Sequence, residues 1–404
     1  MTPSATPRAP ACEGPSRRRL LRVGTAAAAA WLLDESSVAR LLAQVACDGQ
    51  GPAGELVDVL PVTGTRPRAT DYGAMLGGPG LERRRFTDIS GLTPDTLVTP
   101  TAQMFLRTDA PPGVAERTSG WRVALGEGGR HGHVGIEELR RLSRPQGVHL
   151  NECAGNADPN NFGLMSAAEW RGVPLSDLVA RLAPGPDAWG VLVTGDDHEA
   201  SSRFSVPGAS WILPLADLPQ LGAFLATEVN STPLPLDHGA PVRLVIPGWY
   251  GCAWIKWVRE LALVGSDALV TWQMAEYATR THQSGRPLEA REYEAPVIDS
   301  AATPIRVERR LVAGRLEHHV IGIVWGGTHP VDRLRIRFGS RDRGVEFPLC
   351  PTPSTHRTWA LWTYRWRPTE PGLYDIALSM PDTSVRARRL DLSYYIRRVR
   401  IDEV

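Results

Sequence analysis

Val242-Arg243-Leu244-Val245-Ile246 is an apolar run interrupted by a single charge. A turn-rich stretch, Asn230-Ser231-Thr232-Pro233-Leu234-Pro235-Leu236-Asp237-His238-Gly239, leads into it, and Pro247-Gly248 closes it. Its length, its β-branched residues and the breakers on both sides read as a strand. Gly190-Val191-Leu192-Val193-Thr194 repeats the pattern. Between residues 55 and 265 such runs alternate with short helical periodicities, at Gly135 to Leu142 and at Pro174 to Leu182. The connections are too irregular for repeating βαβ units, so this region reads as α+β rather than doubly wound α/β. From residue 296 onward only strands and turns remain: Arg315 to Val324, Val331 to Phe338, Thr358 to Trp366, Leu373 to Ser379 and Leu392 to Ile401. These predict a β-sandwich of roughly 110 residues. The polar segment from Arg280 to Pro296, with its two prolines, is the expected passage between the two domains.

A chain of 404 residues is long enough for two cores, because single cores stop growing near about 250 to 300 residues. The 45 Lys+Arg and 44 Asp+Glu residues nearly cancel, leaving a net charge of +1. No excess of one sign is available to neutralise a polyanion, so nucleic acid is not an expected partner. Neither Gly-x-Gly-x-x-Gly nor a phosphate-loop sequence follows any strand, which removes the support for a nicotinamide or ATP site. The five cysteines, Cys12, Cys47, Cys153, Cys252 and Cys350, are scattered, and no pair has C-x-x-C spacing. A zinc site, a redox dithiol and a c-type haem attachment are therefore not expected. A disulfide framework is not expected either, and at least one free thiol needs an explanation.

Ser16-Arg17-Arg18-Arg19-Leu20-Leu21-Arg22, followed by an apolar stretch from Val23 to Leu33, matches the twin-arginine export pattern. Residues 1 to 46 accordingly read as a signal peptide, with a periplasmic or other extracytoplasmic destination. That route carries folded proteins, often around a cofactor. No other stretch has the uninterrupted apolar length of a membrane span, so none is expected in the mature chain.

Asn151-Glu152-Cys153-Ala154-Gly155-Asn156 sets one cysteine at the end of an apolar run, before a Gly and an Asn suited to a sharp turn. A thiolate there can be a soft metal ligand or a nucleophile, whereas a lone cysteine is more often a small buried hydrophobe. His238, Arg243 and Lys256 lie close together in the sequence and could hold a buried phosphate. The bland alternatives are a satisfied turn histidine and two solvated strand positions.

Several stretches in the same order resemble the sulfite oxidase family of molybdopterin-dependent oxidoreductases. They are Cys153-Ala154-Gly155-Asn156, Ser166 to Leu175, Glu228 to Gly248, Ile255-Lys256-Trp257-Val258 and Trp272-Gln273-Met274-Ala275-Glu276-Tyr277. In the last domain, Gly322-Ile323-Val324-Trp325-Gly326-Gly327 and Thr358-Trp359-Ala360-Leu361-Trp362 resemble that family's immunoglobulin-like dimerisation module. After the signal peptide (1–46) read from the twin-arginine pattern, the resemblance implies a molybdopterin-binding catalytic domain (47–295) and an immunoglobulin-like dimerisation domain (296–404). It implies a molybdenum–molybdopterin cofactor with Cys153 as metal ligand, and His238, Arg243 and Lys256 on the cofactor phosphate. It also implies Arg107 as an oxyanion-binding group and Tyr277 as a hydrogen-bond donor beside the metal.

The chain departs from the family pattern in three places. Thr108-Asp109 stands where the family continues its arginine with Asn-His. Ala157-Asp158 stands where animal and plant members carry a second arginine, and a third, near the C-terminus, has no counterpart. Arg203 and Arg357 are candidates for rebuilding an anion site. The expected reaction is oxidation of sulfite or a related small sulfur oxyanion by oxygen-atom transfer. In the absence of a haem segment, the electrons go to an external carrier, expected to be a cytochrome c, and the chain is expected to form a homodimer. The alternatives are a sulfoxide or other oxide reductase using the same cofactor, and a non-catalytic scaffold of the same fold. A cysteine hydrolase is disfavoured because no histidine near Cys153 serves as its base. His131, His133, His318 and His319 are expected in surface or turn positions, and Trp249, Trp254 and Trp257 in the core.

Overall fold

In the computed structural model, the described residues are 54–64, 85–111, 113–156, 162–197, 208–340, 342–350, 352–391 and 395–404. The expected signal peptide, Cys12, Cys47, Ala157, Asp158 and Arg203 lie outside them. Nineteen strands are described. In the first half they are β1 (Glu55–Pro61), β2 (Thr63–Gly64), β3 (Arg122–Leu125), β4 (His133–Gly135), β5 (Arg144–Glu152), β6 (Met165–Pro174), β7 (Gly190–Gly195), β8 (Ser210–Pro214), β9 (Phe224–Val229), β10 (Thr232–Pro233), β11 (Arg243–Val245) and β12 (Val258–Val264). The second half carries β13 (Ala301–Val312), β14 (Arg315–Trp325), β15 (Arg333–Phe338), β16 (Val345–Pro348), β17 (Ala360–Trp366), β18 (Gly372–Ser379) and β19 (Arg397–Ile401).

The strands form four sheets. One has the order β10-β9-β6-β5 with β11 on β9, and a second has the order β4-β3-β12-β7-β8. Helices over Ile136–Leu142 and Leu175–Val179 fall where the helical periodicity places them. Each buries its apolar stripe: Ile136 and Leu139 in the first, Leu175, Leu178 and Val179 in the second. The first sheet is antiparallel throughout and the second is mixed, with β12 parallel to β3; with the short helices they give the α+β architecture expected from the sequence.

The other two sheets are antiparallel, with orders β1-β13-β14-β17 and β16-β15-β18-β19-β2. Aromatic rings join them: Phe338 of β15 stacks on Trp366 of β17 with centroids 4.1 Å apart, and Phe347 of β16 meets Trp362 and Tyr364. Two strands escaped the sequence reading, the twelve-residue β13 and the short β16. β13 carries Arg306, Glu308, Arg309 and Arg310, and these charges mask its alternation. Its Glu308 accepts from Arg306 and Arg310 at 2.8 and 2.7 Å, and Arg309 pairs with Asp58 and Glu403 outside the strand.

Residues 55–64, placed in the catalytic part by the sequence reading, instead form β1 and β2, which pair with β13 and β19. Edge pairing of a terminal segment depends on where the chain returns, and short-range pattern does not record it. His318 and His319 are buried in β14, contrary to the expected surface or turn position. β14 is the interior strand between β13 and β17, and from Glu317 to Trp325 successive residues, which point to opposite faces, are all buried. From Gln50 to Val404 the chain is one compact unit. Among the described residues no helix is long and apolar enough to cross a membrane.

Candidate active site

One cleft is lined by Arg107, Cys153, His238, Arg243, Lys256 and Tyr277, all six residues singled out from the sequence. Cys153 follows the last residue of β5. Its turn is closed by Asn156 N–H donating to the Cys153 carbonyl at 2.9 Å, and Cys153 N–H donates to Leu164 at 3.0 Å. The Gly155 N–H points at the Cys153 sulfur at 3.4 Å. Phe86, Phe105 and Leu164 pack around that sulfur as a small apolar cluster separate from the main core. The buried-hydrophobe alternative thus describes the cysteine's surroundings, but the thiol also opens onto the cleft. Cys252, the other free thiol among the described residues, lines the same cleft. Cys350 is disulfide-bonded.

The basic groups come from two neighbouring segments. β11 lies between β9 and the returning stretch at Ile255, with Leu244 N–H donating to Ile255 at 2.7 Å. Arg243 and Lys256 are thereby brought together. His238 sits in a single 3-10 turn, Leu236–His238, ended by Gly239 at φ +104°. A Cβ on Gly239 would lie 2.9 Å from Arg243 Cβ and 3.1 Å from Lys256 Cβ, so only glycine lets the three groups converge.

Arg243 is 4% exposed and not on a solvated face. Its Nη1 and Nη2 donate to the carbonyls of His238 and Trp254, and its guanidinium lies over the rings of Trp170 and Trp254. Burial lowers its pKa to about 9, which leaves it cationic at neutral pH. His238 is held neutral, its pKa lowered to about 3 by burial and by Arg243, Lys256 and Arg85. Burial and Arg243 lower the pKa of Lys256 to about 7. Yet its Nζ donates to Thr108 O at 2.6 Å, Thr108 Oγ1 at 3.0 Å and Asp237 O at 2.9 Å. Three oxygen acceptors for three N–H bonds favour the ammonium form.

Thr108, a departure from the family pattern, is therefore the anchor of Lys256. The same loop is stitched down by the antiparallel bridge Arg85↔Leu106 and by Ala110 N–H donating to Asp237 Oδ1 at 2.9 Å. This aims Arg107 into the cleft. Tyr277 ends the helix Trp272–Tyr277, whose first turn is capped by the Thr271 hydroxyl. Burial and the nearby Cys153 push its phenol far above the ordinary tyrosine range, so it remains a proton donor. Arg280 lies over its ring, 5.6 Å from the centroid.

Arg357, suggested from sequence as a substitute anion binder, is not in the cleft; its Nη2 donates to the Gln220 carbonyl. The sequence reading missed Arg85, whose Nη2 is 3.3 Å from His238 Nε2, and Asn151, Asp197 and Asp237 in the cleft wall. Asn151 was legible as part of the cysteine motif, while the others gave no local signal.

Three buried polar atoms around the cleft have no protein partner: Arg107 Nη1, Arg243 Nε and Asn151 Oδ1. Native interiors seldom leave such groups unpaired. Unpaired cationic donors beside a thiol fit a bound anionic group. Residues 110–272 match the family described as oxidoreductase molybdopterin binding domain. The chain is similar to sulfite oxidases, which are molybdopterin-dependent oxidoreductases. It is 28% identical over 307 residues to sulfite oxidase of Gallus gallus, covering 67% of this chain and 63% of that one. To mitochondrial sulfite oxidase of Homo sapiens it is 26% identical over 297 residues, covering 67% and 53%. The chain thus spans just over half the length of these relatives. The crystal structure of the sulfane dehydrogenase SoxCD from Paracoccus pantotrophus shares the fold, with a TM-score of 0.56 at 17% identity over 88% of this chain and 96% of that one.

Proposed function

We propose that this protein oxidises sulfite or a related small sulfur oxyanion by oxygen-atom transfer, with a molybdenum–molybdopterin cofactor, and passes the electrons to an external carrier. The observation that carries this reading is the unpaired, buried Nη1 of Arg107 in the cleft that also holds the Cys153 thiol. When bound, the cofactor supplies a two-electron centre competent for oxygen-atom transfer. Among the described residues no three His, Cys, Asp or Glu side chains converge as a metal cage. Cys153 would therefore hold the metal as a single thiolate. His238, Arg243 and Lys256 would hold the cofactor phosphate: the neutral imidazole as a hydrogen-bonding group, the two cations as fixed charge. Arg107 binds and orients the substrate anion, and the protonated Tyr277 donates to an oxygen beside it. The apolar wall of Phe86, Phe105 and Leu164 excludes water from the sulfur of Cys153.

The twin-arginine pattern supports export to the periplasm, where a cytochrome c is a fitting electron acceptor. A homodimer formed through the two C-terminal sheets completes the proposal, and sedimentation analysis of the purified chain tests it. The activity is tested on protein from a host that makes the molybdenum cofactor, assayed with sulfite, thiosulfate and sulfoxides. The expected result is about one molybdenum per chain, sulfite turnover, and loss of both in Cys153→Ser, because an alkoxide is a poor replacement for a soft thiolate. Full activity in the serine variant, or zinc in place of molybdenum, would refute the proposal.

A further inference from the structure

The residue before the cysteine is a carboxylate, and Glu152 has no exposed surface at all. A buried carboxylate is tolerated only when its oxygens are satisfied. Here Oε1 accepts from Arg388 Nη1 at 2.8 Å and from Asn156 Nδ2 at 3.0 Å. Oε2 accepts from Arg388 Nη2 at 2.6 Å and from Trp325 Nε1 at 2.8 Å. Asn156 also accepts from Leu164 N–H at 3.1 Å, through its side-chain oxygen. The Cys153 turn is thus spanned by side-chain bonds to Glu152 on one side and to Leu164 on the other.

Arg388 and Trp325 lie far along the chain, in the region of the C-terminal sheets. The backbone around Arg388 is pinned to Ser300, with Arg388 N–H donating to Ser300 at 3.0 Å and Ser300 N–H donating to Arg386 at 3.1 Å. The Arg388 guanidinium lies over the rings of Tyr250 and Trp325, at 5.5 and 5.8 Å from their centroids. Tyr250 directly precedes Gly251 and Cys252 in the cleft wall. One side chain therefore touches both the residue that precedes Cys153 and the segment that carries Gly251 and Cys252.

We propose that Glu152 and Arg388 are positioning residues for the sulfur of Cys153, and that the C-terminal sheets are in this way a working part of the active site. Simple packing would be served by apolar side chains of the same volume. Four directional bonds that fix both carboxylate oxygens also fix the backbone from which Cys153 departs, as supporting shells do for metal ligands. The inference rests on Cys153 as the metal ligand, but its first consequence is visible without metal.

The test uses the full chain. In Glu152→Gln/Arg388→Met both charges are removed together, so no unpaired charge is left buried. Arg388→Lys keeps the charge but loses the bidentate geometry, and Arg386→Ala breaks only the neighbouring pair with Asp299. Protein made in a host lacking the molybdenum cofactor is treated with iodoacetamide, and Cys153 is followed by peptide mass spectrometry, which separates it from Cys252. With native circular dichroism retained, Cys153 should be alkylated about tenfold faster in the double variant and in Arg388→Lys. Arg386→Ala should match the parent. In a cofactor-producing host, molybdenum retention on dialysis should fall by about 10- to 100-fold in the same two variants. Parental alkylation rates and metal retention in the folded double variant would overturn the proposal; if that variant does not fold, the same result in Arg388→Lys would. Molybdenum retained in Cys153→Ser would instead refute the metal-ligand reading, and the alkylation result would stand apart from it.

Discussion

Replacing Arg107 by Gln removes the guanidinium whose Nη1 is buried in the cleft without a protein acceptor. Because no protein group is bonded to that nitrogen, its interaction is available to the substrate. A hydrogen bond from a charged donor is worth about 1.5 to 3 kcal/mol. That converts to a rise of about 10- to 150-fold in KM for an anionic substrate. The turnover number should fall less, since the lost interaction is present in the bound ground state as well as the transition state. Arg280, exposed beside the Tyr277 ring, is a weaker second cation, so Arg280→Ala should raise KM by a smaller factor. The assay is steady-state oxidation of sulfite with cytochrome c or ferricyanide as acceptor, run beside a neutral sulfoxide as substrate for the reverse chemistry. Sulfite KM should respond and sulfoxide KM should not. An unchanged sulfite KM in Arg107→Gln, with sulfoxide turnover abolished in Tyr277→Phe, would refute the anion-binding argument and favour the reductase.

The remaining predictions concern stability. His149 is buried and its pKa is lowered to about 4, chiefly by desolvation. A depressed folded pKa gives a contribution fully present above pH 6.5 and lost as pH falls toward 4, amounting to at most about 3 kcal/mol. Denaturant unfolding at pH 7 and pH 4.5 should show this slope, and His149→Phe should reduce it, the buried His238 keeping its own share; an identical slope in the variant would contradict the assignment. Gly322 in β14 has no room for a side chain: a Cβ there would overlap the Trp362 ring and lie 2.6 Å from the Thr303 carbonyl. Gly322→Ala should therefore destabilise the protein by about 1 to 3 kcal/mol, measured by denaturant unfolding. A neutral effect would mean that Trp362 can move aside.

Much of the site was legible in the sequence because its chemistry sits in short segments. The cysteine, the glycine and asparagine of its turn, and the run from His238 to Lys256 are local features, and local bonds such as Asn156 N–H to the Cys153 carbonyl follow from them. The change from mixed elements to strands alone was equally readable, because apolar alternation and turn residues report on nearest neighbours in the chain. Motif resemblance, rather than periodicity, supplied the roles of Arg107 and Tyr277.

What the sequence by itself determined was therefore the kind of site and the class of fold. Only the tertiary structure decided the partnerships across long separations. Thr108 anchors Lys256 across 148 residues, and Arg388 grips Glu152 across 236. It also decided the return of residues 55–64 to the edges of the C-terminal sheets and the burial of His318 and His319 between two neighbouring strands. A buried charge advertises nothing in its own neighbourhood of the sequence. Its stability depends on a donor that the folded chain alone brings within reach.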